Sequence, residues 1–353
     1  MSVLEIPSHL DHLTAEFLEK ALQRQFPGTK VRSVHIGTVI HGTATKVRLL
    51  LDYDQTGHAH RLPPTMWFKG GLEDHSQSAD MLQVYAGEAA FYDEIAGDID
   101  VSLPRGFAAE LDLDSGASFV ILEDLLARNA RFGRALSPFA IDEMQNLVVE
   151  MAKLHGACWQ APELATKTWL QNGGSLLQSC EAVITKESWT RCSQLPRAEF
   201  VGKAFSNFAL FREFVLNALR SDAAQPLCLV HGDCHIGNTF TDGDGKIGLL
   251  DWQSTMLGHW AHDVAYAIIT GLTVEDRRHH EKQLIEFYVA QMAPRGVAID
   301  RDLAWREYRK HTAYSCAWAI CLPEWQAEEI CCAVVERAFA AADDLDSLNA
   351  WST

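Results

Sequence analysis

The stretch LVHGDCHIGNTFTDGDGKIGLLDWQSTMLGHWAHD, Leu229–Asp263, decides the fold that we predict for this chain. A short apolar strand ends in the HGD triplet, and a turn with two Asp-Gly steps leads to a second apolar strand that ends in LLDWQ. Two strands joined by a tight turn bring their flanking loops side by side. We therefore expect Asp233, Asn238 and Asp251 to be neighbours in space.

The acidic and amide side chains of this stretch suit metal-assisted phosphoryl transfer. Hard cations such as Mg²⁺ prefer oxygen ligands, which Asn238 and Asp251 offer, and an upstream carboxylate such as Asp233 can accept the proton of an incoming hydroxyl. A lone HGD also occurs in solvated turns, whereas HGDxxxxN followed by a strand and an Asp is specific. The pattern predicts Asp233 as catalytic base, and Asn238 and Asp251 as metal ligands.

HGDCHIGN followed by LLDWQ resembles the catalytic and metal loops of the aminoglycoside phosphotransferase and choline kinase group, and within it the ecdysteroid-kinase-like branch. The resemblance implies an α/β (α+β) protein-kinase-like fold of two lobes, a small and mainly antiparallel β lobe and a large helical lobe. We place the nucleotide-binding lobe at 1–122, a hinge at 123–127 and the helical lobe at 128–353. The implied reaction moves the γ-phosphoryl group of ATP, with Mg²⁺, to a hydroxyl of a small molecule.

Two features of the N-terminal half concern the nucleotide. The turn HGTAT between the first two predicted strands contains Gly42 and Thr43, whose small size lets backbone N–H groups approach a phosphate, although most such turns bind nothing. A third predicted strand ends at Lys69. In the family that the chain resembles, this lysine holds the phosphates and a carboxylate of the next helix orients it. We assign that carboxylate to Glu88, with Glu94 as the alternative.

A buried strand at 118–122 continues into Glu123, Asp124 and Leu125. In similar kinases an acidic linker at this place joins the lobes, and its backbone groups contact the edge of an adenine. The resemblance therefore implies that the backbone of these three residues binds the nucleotide. A strand followed by a helix cap is the alternative interpretation.

The C-terminal half has the apolar spacing of helices. Apolar residues recur at steps of three and four, which predicts helices at 139–159, 176–189, 199–219, 264–272, 275–292, 301–320 and 323–345. We expect His155 to pack in the first of these, Asp263 to cap its helix and brace the HGD segment, and His231 to hold that segment by hydrogen bonds. Tryptophans are frequent in this half and offer contact area for a bulky acceptor.

Composition excludes several classes of function. The 353 residues carry a formal net charge of -17, which argues against a nucleic-acid or anionic-membrane partner. Nine cysteines without a CxxC pair do not form a disulfide or zinc framework, and they favour a reducing compartment. Because neither a leader nor an apolar run of spanning length is found, we expect a cytoplasmic protein without a membrane partner.

The segment after Asp251 bears on the acceptor. Asp251 is followed by Trp252 and Gln253 instead of the FG of a DFG triplet, and a short segment leads to the next helix, which favours a small-molecule acceptor over a peptide. Two alternatives stay open: a nucleotide-binding pseudokinase or regulator with little turnover, and a hydrolase or peptide kinase that uses the same metal site. His231 and His235 have zinc-helix spacing, but the glycines around them disfavour a helix.

Overall fold

The computed structural model describes residues 4–42, 44–73, 76, 79–170, 174–220 and 225–352. The chain forms two compact units, each built from more than one segment of sequence. The first unit contains Met1–Ile99, Leu103–Ala130 and Asp251–Gln253, and the second contains Asp100–Ser102, Arg131–Leu250 and Ser254–Thr353.

The first unit is built on a five-stranded antiparallel sheet. Its strands are β1 (Val31–Ile40), β2 (Thr45–Tyr53), β3 (Thr65–Gly70), β4 (Gly106–Leu111) and β5 (Ser118–Glu123). They lie in the order β1, β2, β3, β5, β4, and every neighbouring pair is antiparallel. The helices of this unit are α1 (Ala15–Gln23), α2 (Gln55–Ala59) and α3 (Ala79–Glu94).

Alternation of side chains along the strands produces the core of the first unit. Val47, Leu49 and Leu51 of β2 are buried at every second position, as expected when one face of a sheet is covered. Helix α1 starts at Thr14, whose hydroxyl accepts from the N–H of Phe17 at 3.2 Å, and Phe17 belongs to the same apolar cluster. Each such buried side chain contributes about 2 kcal/mol of hydrophobic stabilisation.

The second unit is mainly helical. Its helices are α4 (Ile141–Ala157), α5 (Gly174–Val183), α6 (Lys186–Cys192), α7 (Phe208–Leu219), α8 (Trp260–Gly271), α9 (Val274–Met292), α10 (Arg301–Ser315) and α11 (Glu328–Asp344). Its strands are β6 (Arg131–Phe132), β7 (Cys228–Val230), β8 (Thr239–Thr241), β9 (Ile247–Leu249) and β10 (Met256–Gly258). They form two small antiparallel sheets. One sheet pairs β10 with β7, and the other has three strands in the order β6, β8, β9.

A hairpin lies around the Asp-Gly turn, but the prediction of its first strand was wrong: the apolar strand that ends at HGD, β7, pairs with β10, and the hairpin is formed by β8 and β9. Strands β8 and β9 pair with Thr239 opposite Leu249. The Asp242 carboxylate closes the turn by accepting from the N–H groups of Asp244 at 3.0 Å and Lys246 at 2.9 Å. The predicted fold class, an antiparallel sheet in the N-terminal part and helices in the C-terminal part, is confirmed.

Several helix predictions were wrong at their boundaries; α10 ends at Ser315 instead of residue 320, and α11 begins at Glu328 instead of residue 323. The helix expected at 176–189 is split into α5 and α6, because the hydroxyl of Thr185 caps a new helix by accepting from Ser188 N–H at 3.1 Å. Helix α7 starts late, with Asn207 as its cap. Helix α8 is capped by His259, whose Nδ1 accepts from Ala261 N–H at 3.2 Å, so Asp263 does not cap it.

Within the described ranges, none of the helices combines the length and the apolar character that crossing a bilayer requires.

Candidate active site

The HGD loop, residues 231–238, connects β7 to β8 in the second unit and depends on a glycine at its turn. Gly232 has a φ of 84°, in the left-handed region, and a Cβ at this position would lie 2.1 Å from the carbonyl oxygen of Ser254. No side chain fits that space, so the second letter of HGD is required by close approach of two backbone segments.

Asp263 of α8 holds the HGD loop by hydrogen bonds to its backbone. Its carboxylate, fully buried, accepts from the backbone N–H of His231 at 2.7 Å and of Gly232 at 2.9 Å. His155 Nε2 lies 3.1 Å from the same carboxylate. Burial alone would raise the pKa of Asp263, but the hydrogen bond and charge of His155 outweigh it, and the pKa lies well below its usual value. The bracing role predicted for Asp263 is confirmed.

The two histidines also behave as expected. His231 Nε2 donates to the carbonyl of Leu250 at 3.1 Å, while its Nδ1 accepts from the N–H of Asp233 at 3.3 Å, which fixes the tautomer. His155 is fully buried, and its Nδ1 lies 2.9 Å from the hydroxyl of Tyr288. Both residues therefore position the loop through hydrogen bonds.

Asp233 and Asn238 contact each other within the loop. Asn238 Nδ2 donates to the backbone carbonyl of Asp233 at 2.8 Å and to its Oδ2 at 3.1 Å. Because the amide nitrogen is engaged, the carbonyl oxygen of Asn238 is the atom that remains for a hard cation. The Asp233 side chain is 32% exposed, so a hydroxyl from solution can reach its carboxylate.

Aromatic side chains line one side of Asp233. His235 Nε2 is 3.8 Å from Asp233 Oδ2, and its ring lies edge-on to Trp318 and Tyr266, with centroids 5.4 and 6.1 Å away. Trp318 Nε1 donates to the Tyr266 hydroxyl at 2.8 Å, which fixes both rings. In this aromatic wall, formed by His235, Tyr266 and Trp318, Tyr266 is buried, and the half-buried rings of His235 and Trp318 are the apolar surface beside the carboxylate.

In the first unit, Lys69 lies near the end of β3 and makes two buried ion pairs. Its Nζ is 2.6 Å from Glu88 Oε2 and 2.8 Å from Asp251 Oδ1. Burial alone would lower the pKa of Lys69, but the carboxylates of Asp251 and Glu88 outweigh it and raise the pKa above its usual value. Glu88 is the helix carboxylate that pairs with the lysine, whereas Glu94 is exposed.

The Asp251–Gln253 segment is anchored to α3 of the same unit. The Trp252 ring stacks on the Phe91 ring with centroids 4.0 Å apart, and the backbone N–H of Trp252 donates to Glu88 Oε1 at 3.2 Å. With its amide group oriented so that both neighbours are satisfied, Gln253 donates to Asp251 Oδ1 at 3.2 Å and accepts from Lys69 Nζ at 3.3 Å. Asp251 itself has a φ of 68°, a conformation that costs energy outside glycine and that is concentrated at functional sites.

Asp251 and Gln253 help to line an open pocket of about 120 Å³ in the first unit. The lining includes Gly42, Ala44, Lys46, Lys69, Asp251 and Gln253. Gly42 is exposed, and a Cβ there would meet only ordinary van der Waals contact, so sterics do not require a glycine. Thr43, predicted to bind phosphate, lies outside the described residues.

The predicted hinge residues are placed at the end of β5. The Asp124 carboxylate is buried and accepts from Arg48 Nε at 2.8 Å and from Trp67 Nε1 at 3.2 Å, so its side chain is committed to the sheet. Glu123 N–H already donates to the carbonyl of Arg105 at 2.9 Å. Asp124 also caps a 3₁₀ helix, Leu125–Arg128, and thus fulfils the alternative interpretation of a strand followed by a cap.

Comparison with known protein families shows to which family the chain belongs. A family model described as "Phosphotransferase enzyme family" matches residues 75–301, well over half of the sequence. The chain belongs to this family. The resemblance to the aminoglycoside phosphotransferase and choline kinase group is thereby confirmed at the level of the family, and the ecdysteroid-kinase-like branch stays a prediction.

Solved structures similar to this phosphotransferase family member are distant in sequence. Aminoglycoside 2'-phosphotransferase-IIIa with GDP is 14% identical over 94% of this chain and 99% of its own, with a TM-score of 0.49. Choline kinase LicA from Streptococcus pneumoniae is 12% identical over 94% and 98%, at 0.48. Macrolide 2'-phosphotransferase MphH from Brachybacterium faecium is 15% identical over 93% and 97%, at 0.44. No curated protein matches the chain.

The structure of this family member also groups three buried residues that the sequence did not bring together. Ligand atoms of His259, Glu307 and His311 lie within 4.8 Å of one another. The two imidazole rings stack at 4.8 Å with an interplanar angle of 14°, and Glu307 is paired with Lys310 at 3.0 Å. Imidazole binds metals in its ring plane, and parallel rings do not aim at one ion. We therefore interpret the group as packing between α8 and α10.

Proposed function

We propose that this phosphotransferase family member transfers the γ-phosphoryl group of ATP, with Mg²⁺, to a hydroxyl of a small molecule. The observation that supports this most strongly is the triad of Lys69, Glu88 and Asp251, in which two carboxylates hold the buried ammonium group of Lys69 in an open pocket. The phosphates of a nucleotide need such a fixed positive charge. Glu88 would orient Lys69 toward them.

Asp233 would accept the proton of the acceptor hydroxyl. In the proposed step the acceptor oxygen forms a bond to the γ-phosphorus, the bond from that phosphorus to the bridging oxygen of ADP breaks, and the hydroxyl proton passes to the Asp233 carboxylate. Its hydrogen bond from Asn238 holds Oδ2 in place. The wall of His235, Tyr266 and Trp318 supports an acceptor with a flat or apolar face.

Asn238 and Asp251 would hold Mg²⁺. The amide oxygen of Asn238 is left for a ligand by the hydrogen bonds of its nitrogen, and the Asp251 carboxylate is 21% exposed, so both offer the oxygen atoms that a hard cation prefers. A bound Mg²⁺ would neutralise charge on the phosphates.

The remaining nucleotide contacts are proposed from the backbone. The purine would lie against backbone groups of Glu123, Asp124 and Leu125, since the Asp124 side chain is used inside the sheet. Gly42 lines the pocket, and its backbone would approach a phosphate of the nucleotide. Phosphate binding by Thr43 stays a prediction. A cytoplasmic location also stays a prediction.

The experiment is a thermal melt with ATP or ADP, each with and without Mg²⁺. A ligand that binds only the folded state stabilises it by about 2.7 kcal/mol at a hundredfold excess over its Kd. We expect a Mg²⁺-dependent rise in melting temperature that shrinks in Asp251→Asn. ADP release with a panel of hydroxylated acceptors then tests transfer. If purine nucleotides at millimolar concentration leave the melt unchanged, the proposal is wrong.

A further inference from the structure

Lys46 faces the same pocket as Lys69 and has no part in the function proposed above. It lies on β2 directly opposite Lys69 on β3 in the antiparallel register. Directly opposite residues place their side chains on the same face of a sheet, with Cβ atoms about 5 Å apart. Two ammonium groups therefore project from neighbouring strands toward one pocket.

Two like charges at opposite positions of a sheet destabilise it unless an anion lies between them. Here the anion is the Asp251 carboxylate, which is divided between the lysines: Oδ1 is 2.8 Å from Lys69 Nζ, and Oδ2 is 3.5 Å from Lys46 Nζ. Lys69 has a second counter-ion in Glu88 at 2.6 Å. The ion pair that the described residues give Lys46 is the longer one, to Asp251.

The two lysines also differ in freedom of movement. The Lys69 side chain is 6% exposed and fixed by two carboxylates, whereas the Lys46 side chain is 40% exposed at the pocket. A weak and partly solvated pair costs little to break. If Asp251 held a metal, its carboxylate would leave Lys46, and the ammonium group of Lys46 would be available to another anion in the pocket.

We propose that Lys46 is a second phosphate-binding lysine, which exchanges Asp251 for the terminal phosphate groups of the nucleotide when the nucleotide binds. This inference rests on the proposed function, because it assumes that the pocket receives a nucleotide. Lys69 holds its phosphate oxygens from a fixed position, and Lys46 follows the phosphates with a mobile side chain. The contribution of Lys46 to affinity therefore increases with the number of phosphate groups.

The test compares nucleotide affinities of three variants by calorimetric titration with ATP, ADP and AMP in Mg²⁺. Lys46→Gln removes the charge, and Lys46→Arg retains it. Lys20→Gln is the matched control, because Lys20 is an exposed lysine of the same unit, paired with Glu16 on α1. We expect Lys46→Gln to weaken ATP binding about tenfold, which corresponds to the lower end of the range for the loss of a hydrogen bond to a charged group. ADP binding should weaken less. AMP binding stays unchanged, and Lys46→Arg restores most of the ATP affinity.

Each other outcome overturns the inference in a distinct way. If Lys46→Gln binds ATP as tightly as the wild type, Lys46 does not contact the phosphates. If the variant loses ATP, ADP and AMP affinity equally while its melting temperature falls, Lys46 serves only the fold of the pocket. If the wild type binds none of the three nucleotides, the proposed function fails, and the inference fails with it.

Discussion

Asp233 is the side chain on which the proposed transfer depends most directly, and it lies at a partly exposed position that a hydroxyl can reach. Asp233→Asn retains the size of the side chain and removes its ability to accept a proton. We expect turnover to fall by about 100- to 10,000-fold, the usual contribution of a general base, while ATP affinity stays unchanged. ADP release and nucleotide titration on the same preparation measure the two quantities.

The matched control is Asp244→Asn, in the exposed turn of the hairpin that follows the HGD loop. It removes the same charge at a nearby position, and its turnover should match the wild type. Retained phosphoryl transfer in Asp233→Asn would mean that another group accepts the proton.

At the scale of single residues, sequence reasoning worked where a motif fixed the chemistry and the spacing. The family resemblance implied a pair of Lys69 with Glu88, and the structure places their charged atoms 2.6 Å apart. Lys46 was missed, because a lysine on a strand is ordinarily a solvated surface residue. Its significance follows from its register opposite Lys69 and from the pair with Asp251, 205 residues away. Such contacts have no local signal in the sequence.

The HGD loop and the hairpin turn permit a prediction about glycine at the scale of the element. Gly232 and Gly245 have nearly equal φ values, 84° and 81°, but a Cβ on Gly232 would lie 2.1 Å from Ser254 O, whereas Gly245 faces open space. Gly245→Ala measures backbone strain alone, about 1–2 kcal/mol. We expect Gly232→Ala to lower the free energy of unfolding by at least about 3 kcal/mol and to abolish turnover, as urea unfolding and ADP release would show.

Equal destabilisation by the two glycine variants would contradict this account, since it would mean that the HGD loop moves away from Ser254 at no cost. The HGD loop would then be more flexible than its two hydrogen bonds to Asp263 indicate.

The contact between α8 and α10 predicts a dependence of stability on pH. Burial lowers the pKa of His311 from 6.5 to about 3. As the pH falls, His311 takes up a proton in the unfolded chain before it does so in the folded protein. The contribution of neutral His311 to the free energy of unfolding is therefore fully present above pH 6.5 and declines as the pH falls toward 3. Between pH 7.5 and 5.5, His311 should account for about 1 kcal/mol of lost stability. Urea unfolding of His311→Phe should show a smaller loss over this range.

His35→Gln is the control for that measurement, because His35 is exposed on β1. The same pH dependence in His311→Phe and in the wild type would show that the buried histidine takes up its proton without unfolding.

Element boundaries followed the sequence wherever an apolar pattern and a cap agreed. The helix predicted at 275–292 is α9, which Thr273 caps, and its bounds differ from the prediction by one residue. The helix predicted at 176–189 is interrupted, because apolar spacing runs through a cap at Thr185 that only the folded backbone reveals. The pairing of His259 with His311 depends on the packing of two helices, which spacing along the chain does not specify.

For the molecule as a whole, a net charge of -17 implies repulsion between surface carboxylates. Raising the ionic strength from about 0.01 M to about 0.15 M shortens the Debye length from about 30 Å to about 8 Å, so repulsion is screened. We expect the melting temperature at neutral pH to rise with salt. Near the isoelectric point of about 5.3 the effect should vanish. A fall with salt at neutral pH would show that surface ion pairs outweigh the repulsion.

The membership of Asp251–Gln253 in the first unit has a consequence for protein synthesis. On the ribosome, Lys69 is made 182 residues before Asp251, an interval of about 10 to 40 s at usual elongation rates. During this time Lys69 and Glu88 can pair, but the carboxylate that completes their triad does not yet exist. A nascent chain would therefore pass through most of its translation without the complete pocket of the first unit, and it would acquire this pocket only when the segment that follows β9 leaves the ribosome.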